Sequence, residues 1–101
     1  MRAAIDDFLI YIASEKGLSP RSVAAYKSDL MQFEKGVGKE LQEVELDDLI
    51  AYMALLAQSG KSESTRARAF VAIASLFRFA VREGVITSDR THLFDTPKRG
   101  R

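Results

Sequence analysis

The stretch from Ser62 to Gly84, SESTRARAFVAIASLFRFAVREG, is the feature that most constrains the fold of this chain. Its apolar residues recur at steps of three and four, which places them on one stripe of an α-helix: Phe70, Ile73, Phe77 and then Ala80 or Val81. Other large apolar residues, such as Leu76 and Phe79, widen this stripe, so neighbours should contact the helix on more than one side. The sequence therefore predicts a central helix with Phe70 in the core, capped by Ser62 and stopped by Gly84.

Three earlier helices are predicted, over residues 3–16, 20–35 and 46–59. Ser19 and Pro20 form a compact start for the second helix, which Gly36 and Gly38 are predicted to close. The inward positions are Ile5, Phe8, Leu9 and Ile12 on the first helix, Val23, Tyr26, Leu30 and Phe33 on the second, and Leu49, Tyr52, Met53 and Leu56 on the third. No stretch alternates as a strand would. We predict an all-α fold of two helical hairpins, with a short fifth turn after Ser88.

Length and composition limit the classes of protein that fit. A chain of 101 residues forms one domain, and without cysteine it has neither a disulfide nor a thiolate metal site. No uncharged run approaches the roughly 20 residues that span a bilayer. Asp6 and Asp7 interrupt any signal-peptide core. We expect a cytoplasmic protein with no membrane partner.

The net charge of +1 hides an uneven distribution. Residues 1–60 carry six lysines and arginines against ten acidic residues, whereas residues 61–101 carry nine against four. Lys61, Arg66 and Arg68 lie near a helix start, where the helix dipole does not favour cations. They are either solvated surface charge or part of a site for an anionic partner, since a helix start with added cations suits phosphate. The charge pattern favours a nucleic-acid-facing surface in the second half.

No catalytic or metal-binding arrangement is evident in the sequence. Tyr26 and Tyr52 fall on core stripes, and the single histidine, His92, has no carboxylate or hydroxyl partner at useful spacing. The acidic segment lacks the spacing of a calcium loop; its members are Glu40, Glu43, Glu45, Asp47 and Asp48. We expect no cofactor, no metal and no catalysis by this chain alone.

Two motifs resemble the N-terminal core-binding domain of tyrosine recombinases, the group that includes phage-type integrases and chromosome-dimer resolvases. The first is Leu18-Ser19-Pro20-x-Ser22-x-x-x-Tyr26-x-x-Asp29-Leu30-x-x-Phe33. The second is Thr65-x-x-Arg68-x-Phe70-x-Ala72-Ile73-x-Ser75-Leu76-Phe77-Arg78-Phe79, followed by Glu83-Gly84 and later by Pro97-Lys98. Together the two motifs cover nearly the whole chain.

The resemblance implies an orthogonal four-helix bundle, called SAM-like, that lies over one face of a duplex DNA site while a separate catalytic domain grips the other. In that family the starts of the second and fourth helices approach the major groove and its phosphates. Carried over, the DNA-binding residues are Arg21, Ser22, Lys27, Lys61, Ser64, Thr65, Arg66 and Arg68. The expected function is the DNA-binding module of a site-specific recombinase or integrase.

The resemblance also implies partners within the recombination complex. Residues 1–96 would form the core-binding domain, and residues 97–101 a basic linker toward the catalytic domain of the same parent chain. Ile10 and Tyr11 on the first helix are candidates for contact with a neighbouring protomer on DNA. The alternative is a helical protein–protein interaction domain without DNA binding. The sequence leaves open the DNA target, and whether the parent is an integrase or a resolvase.

Overall fold

The computed structural model describes residues 1–87, which form four α-helices and one short 3-10 helix. They are α1 (Arg2–Ser14), α2 (Pro20–Val37), the 3-10 helix (Leu41–Glu43), α3 (Leu46–Gln58) and α4 (Glu63–Arg82). This part of the chain contains no strand, so the all-α prediction is confirmed. None of these helices is long and apolar enough to cross a membrane. The predicted turn after Ser88, His92 and the predicted linker over 97–101 lie outside the described residues.

Two serine caps fix the starts of α2 and α4. The hydroxyl oxygen of Ser19 accepts a hydrogen bond from the backbone N–H of Ser22 at 3.2 Å, and that of Ser62 accepts one from Thr65 at 3.1 Å. Each bond satisfies a backbone donor that has no partner within its helix. Both predicted starts are confirmed.

The end of α2 differs from the prediction because Gly36 lies inside the helix rather than closing it. Gly38 alone is the C-cap, with φ of 68° in the left-handed region. A Cβ atom at Gly36 would lie 2.8 Å from Cε1 of Tyr52, so this glycine allows α2 and α3 to approach closely. The sequence pattern predicts a helix stop at Gly36, but the close packing of α2 against α3 is the reason for this glycine.

Helix α4 is the centre of the bundle, as predicted, and packs against α1, α2 and α3. Its side chains at Ile73, Leu76 and Phe77 are no more than 1% exposed. The predicted core position of Phe70 was wrong, because this residue is only half-buried; of the alternatives Ala80 and Val81, Ala80 is buried and Val81 is 37% exposed. Small buried residues complete the face instead, namely Ala69, Ala72, Ala74 and Ala80. Apolar residues surround much of α4, so periodicity alone does not fix its rotation.

Aromatic side chains connect the helices around this centre. The ring of Phe8 on α1 lies edge-on to Tyr26 on α2 at 5.8 Å and to Phe79 on α4 at 5.6 Å. Phe33 on α2 meets Tyr52 on α3 at 5.3 Å. Tyr52 is buried and Tyr26 half-buried, as their core positions predicted. Burial raises the pKa of the Tyr52 hydroxyl, and the negative charge of Asp29 adds to this effect.

Candidate nucleic-acid interface

A bidentate ion pair joins the two helices that carry the predicted site. Nε of Arg68 on α4 lies 3.0 Å from Oδ2 of Asp29 on α2, and Nη2 lies 3.0 Å from Oδ1. The side chain of Asp29 is 6% exposed, whereas that of Arg68 is 56% exposed. The hydrogen bonds to Asp29 raise the pKa of the Arg68 guanidinium. Arg68 therefore combines a water-exposed surface with an anchored, largely neutralised charge.

The pair closes one end of a cleft between α2 and α4. The cleft has a volume of about 170 Å³, and its lining includes Ser22, Tyr26 and Asp29 from α2 with Arg68 and Val71 from α4. The structure thus brings Ser22 and Arg68, one predicted site residue from each helix, to the same cleft. Ser22 is half-buried.

The first turn of α4 uses several predicted site residues to build its own cap. Thr65 accepts a hydrogen bond from the Ser62 hydroxyl at 3.0 Å, and Nη1 of Arg66 donates to the carbonyl oxygen of Lys61 at 2.7 Å. Thr65 and Arg66 are half-buried, while Lys61 and Ser64 are exposed. The latter two are therefore the freest groups at this helix start.

Helical geometry divides the predicted residues of α4 between two sides. Arg66 and Arg68 are two residues apart, a rotation of about 200° around the helix. Ser64 and Arg68 are four apart and share one side. Arg66 therefore cannot join Arg68 and Ser64 on a single flank of α4.

The start of α2 lies beside the middle of α4. Ser22 and Tyr26, which precede Asp29, line the cleft together with Val71, which follows Arg68. The two basic helix starts are therefore separated along α4 and do not form a single cluster.

Arg21 and Lys27 are exposed on α2. Among residues 1–87, four of the predicted cations have no carboxylate partner: Arg21, Lys27, Lys61 and Arg66.

The acidic segment before α3 has a structural role in this part of the chain. The backbone N–H of Glu45 donates to Oδ2 of Asp48 at 2.8 Å, and Nζ of Lys39 donates to the same oxygen at 3.0 Å. These contacts hold the pKa of the Asp48 carboxyl below its ordinary value, the backbone bond being the larger cause. Within residues 1–87, no group of three or more acidic, histidine or cysteine side chains is placed to hold a metal ion.

Sequence reasoning missed Asp29 as the partner of Arg68. The residue was part of the quoted motif, and its position seven residues after Ser22 places both on one face of α2. Sequence reasoning also left Lys16, Arg78 and Arg82 out of the site, although all three line a second groove beside α4. The sequence does carry a signal for Arg78 and Arg82. They follow Arg68 by ten and fourteen residues, which keeps all three close to one stripe of α4.

Comparison with known proteins identifies relatives over almost the full chain. The family described as "Phage integrase, N-terminal SAM-like domain" matches residues 5–84. Tyrosine recombinase XerC of Roseiflexus sp. is 33% identical across 97% of this chain and 33% of its own length. Tyrosine recombinase XerD of Listeria monocytogenes is 34% identical across 98% and 35%, respectively. The chain thus spans about a third of these curated relatives. No solved structure matches the chain.

Proposed function

The chain belongs to the family of phage-integrase N-terminal SAM-like domains found in tyrosine recombinases, and we propose that it is the module that binds duplex DNA for such an enzyme. It holds one face of a recombination site for integration or recombination, and a catalytic domain of the same parent chain holds the other. We propose that the chain binds DNA in the cytoplasm, where the DNA of a bacterial cell lies.

The observation that carries this proposal is the set of cations at the starts of α2 and α4. Arg21, Lys27, Lys61 and Arg66 have no carboxylate partner among residues 1–87, whereas Arg2, Lys39 and Arg68 do. An unpaired cation is free to neutralise a phosphate and to release the counterions condensed on DNA. Ser22, Ser64 and Thr65 add hydroxyl groups suited to phosphate oxygens.

The chain does not carry the reaction chemistry by itself in this proposal. Covalent phosphoryl transfer by a tyrosine needs a free hydroxyl with basic groups arranged around the phosphate. Tyr52 is buried against Phe33, and the Tyr11 hydroxyl accepts a hydrogen bond from Nη1 of Arg82 at 3.0 Å. We assign the strand-cleaving residues to the catalytic domain of the parent chain.

A second candidate function is protein–protein interaction, and Ile10 is the observation that favours it. This α1 side chain is 66% exposed, the most exposed of the large apolar residues in the part of the chain that the structure describes. Its neighbour Tyr11 instead packs against Phe79 and Arg82. A neighbouring protomer on DNA would cover Ile10, so this contact is compatible with the DNA-binding function.

Fluorescence anisotropy with a labelled duplex tests the DNA assignment. The isolated chain should bind weakly, near the ~10⁻⁴–10⁻⁶ M range of non-specific binding, and affinity should fall steeply with salt. Lys61→Gln should reduce the slope of log affinity against log salt by about 0.9, the value for one phosphate contact. Undetectable binding at low salt would contradict the proposal.

A further inference from the structure

A second groove lies beside α4, next to the cleft that Arg68 lines. Its volume is about 490 Å³, and its walls include Lys16 and Leu18 in the loop between α1 and α2, Tyr26 on α2, and Arg78 and Arg82 on α4. Tyr26 and Val71 line both depressions, so the two are adjacent. The combined feature is called the α4 trough here.

The cations along the trough share one stripe of α4. At 100° per residue, Arg68, Arg78 and Arg82 fall within an arc of about 80°, and they span fourteen residues, or about 21 Å. Ser75 lies between them and contacts Nη2 of Arg78 through its hydroxyl at 3.3 Å. The stripe is therefore a row of donors that borders both depressions.

The 490 Å³ part of the trough is unbalanced toward the positive, whereas Asp29 offsets Arg68 in the cleft part and Glu83 lies 3.4 Å from Arg82. None of the residues that line the 490 Å³ groove within the described chain is acidic. Within residues 1–87, neither Lys16 nor Arg78 pairs with a carboxylate, and both are exposed. Free cations that border an acid-free groove attract a polyanion and not an apolar or cationic partner.

Arg82 is held in place before any ligand arrives. Its guanidinium carbon lies 4.5 Å from the centroid of the Tyr11 ring, and Nη1 donates to the Tyr11 hydroxyl at 3.0 Å. The hydrogen bond to Tyr11 is the main cause that raises the pKa of Arg82. A stacked guanidinium loses less freedom when it contacts a phosphate than a free side chain does.

Val71 gives the trough an apolar contact between its cations. This side chain is 52% exposed and lies between Arg68 and Arg78 in the stripe. An exposed apolar group among basic groups suits the sugar face of a DNA backbone or a thymine methyl group.

We propose that the α4 trough is a second phosphate-contact surface, in which Lys16 and Arg78 bind the backbone of duplex DNA. This inference rests on the proposed function, because the partner is the same duplex. It extends the contact beyond the two helix starts to the loop after α1 and the second half of α4. The DNA would then lie along the α2–α4 packing and not only at the ends of these helices.

The proposed phosphate contact at the trough can be tested with charge-neutral variants and one matched control variant. Lys16→Gln and Arg78→Gln should each reduce the salt slope of duplex binding by about 0.9, which corresponds to an affinity loss of about eightfold at 0.1 M salt. Lys35→Gln is the control: Lys35 is an exposed lysine in the last turn of α2 that lines neither depression. Its slope should equal that of the unsubstituted chain. All three side chains are exposed, so thermal melts should confirm that the fold is unchanged.

The outcomes separate this inference from the proposed function. If Lys61→Gln lowers the slope while Lys16→Gln and Arg78→Gln do not, the trough assignment is wrong and the DNA-binding function stands. Equal losses for Lys35→Gln and the trough variants would also overturn it, because they would indicate a general charge effect. If the unsubstituted chain fails to bind duplex at low salt, both proposals fall.

Discussion

Asp29 and Arg68 form a bidentate ion pair, with both N–O distances at 3.0 Å, that fastens α2 to α4. Each residue belongs to one of the two motifs by which the chain resembles tyrosine recombinases, so the pair physically connects those motifs. The carboxylate is 6% exposed and the arginine side chain 56% exposed. The pair therefore has two consequences, one for the stability of the fold and one for the net charge at the cleft between α2 and α4.

The stability consequence is unequal for the two partners. Arg68→Ala leaves a buried carboxylate unpaired and should cost about 1–3 kcal/mol, toward the low end because water reaches the guanidinium side. Asp29→Ala leaves an exposed arginine and should cost less electrostatically. Urea unfolding of both single variants and the double variant measures their coupling, which should be at least ~0.5 kcal/mol for residues in contact. Additive effects would show that the pair contributes nothing to folding.

The charge consequence concerns how much Arg68 contributes to DNA binding. Because Asp29 neutralises Arg68, Arg68→Ala should change the salt slope by less than the ~0.9 expected for Lys61→Ala. Asp29→Asn removes a negative charge from the cleft and should strengthen duplex binding. Anisotropy titrations at several salt concentrations measure both effects. Weaker binding by Asp29→Asn, with the fold intact, would mean that the pair orients Arg68 for a contact that needs this geometry.

The two phenylalanines of α4 should differ in their contribution to stability. Phe77 is fully buried, so Phe77→Ala should cost about 3–5 kcal/mol, enough to unfold a domain of marginal stability. Phe70 is half-buried, so Phe70→Ala should cost clearly less. Thermal melts of the two variants give the order directly. A larger loss for Phe70→Ala would mean that α4 is rotated relative to this structure.

Stability at acid pH should depend on Asp48. Its pKa in the folded chain lies below the ordinary value of 3.8, mainly because its carboxylate accepts the Glu45 N–H. The stabilisation is therefore present above that ordinary value and is lost as pH falls through the lower folded-state pKa. Asp48→Asn should lower stability by about 1 kcal/mol at neutral pH, the value of one hydrogen bond of a capping box. In strong acid, where the carboxyl group of the unsubstituted chain is protonated, the two proteins should differ less in stability. Urea unfolding at pH 7 and at pH 2–3 measures this change; a constant difference would contradict the role of the carboxylate.

Much of the fold could be predicted because its signals are local. Ser19 and Ser62 cap their helices as their positions suggested, since a serine before a run of helical periodicity has few other roles. The predicted helix stop at Gly36 was wrong because glycine serves both as a helix stop and as a point of close packing. Only the position of Tyr52 on another helix distinguishes the two.

The candidate site was less predictable because it depends on how helices pair in space. The sequence supplied the cations, but not the carboxylate that neutralises Arg68, which lies 39 residues away in the chain. It also treated Arg66 and Arg68 as one cluster, although helical rotation separates them. The groove cations Lys16 and Arg78 lie in the loop after α1 and on α4, so only the packing of α1 on α4 brings them to one surface.

A duplex titration followed by amide NMR shifts tests the central claim most directly. The amides of Arg21, Ser22 and residues 61–68 should shift as duplex is added, and these shifts should weaken as salt is raised. The acidic segment over residues 40–48 should remain unchanged because it repels phosphate. Shifts confined to α1 or to the acidic segment, with residues 61–68 unmoved at low salt, would contradict the assignment of α2 and α4 as the DNA-binding surface.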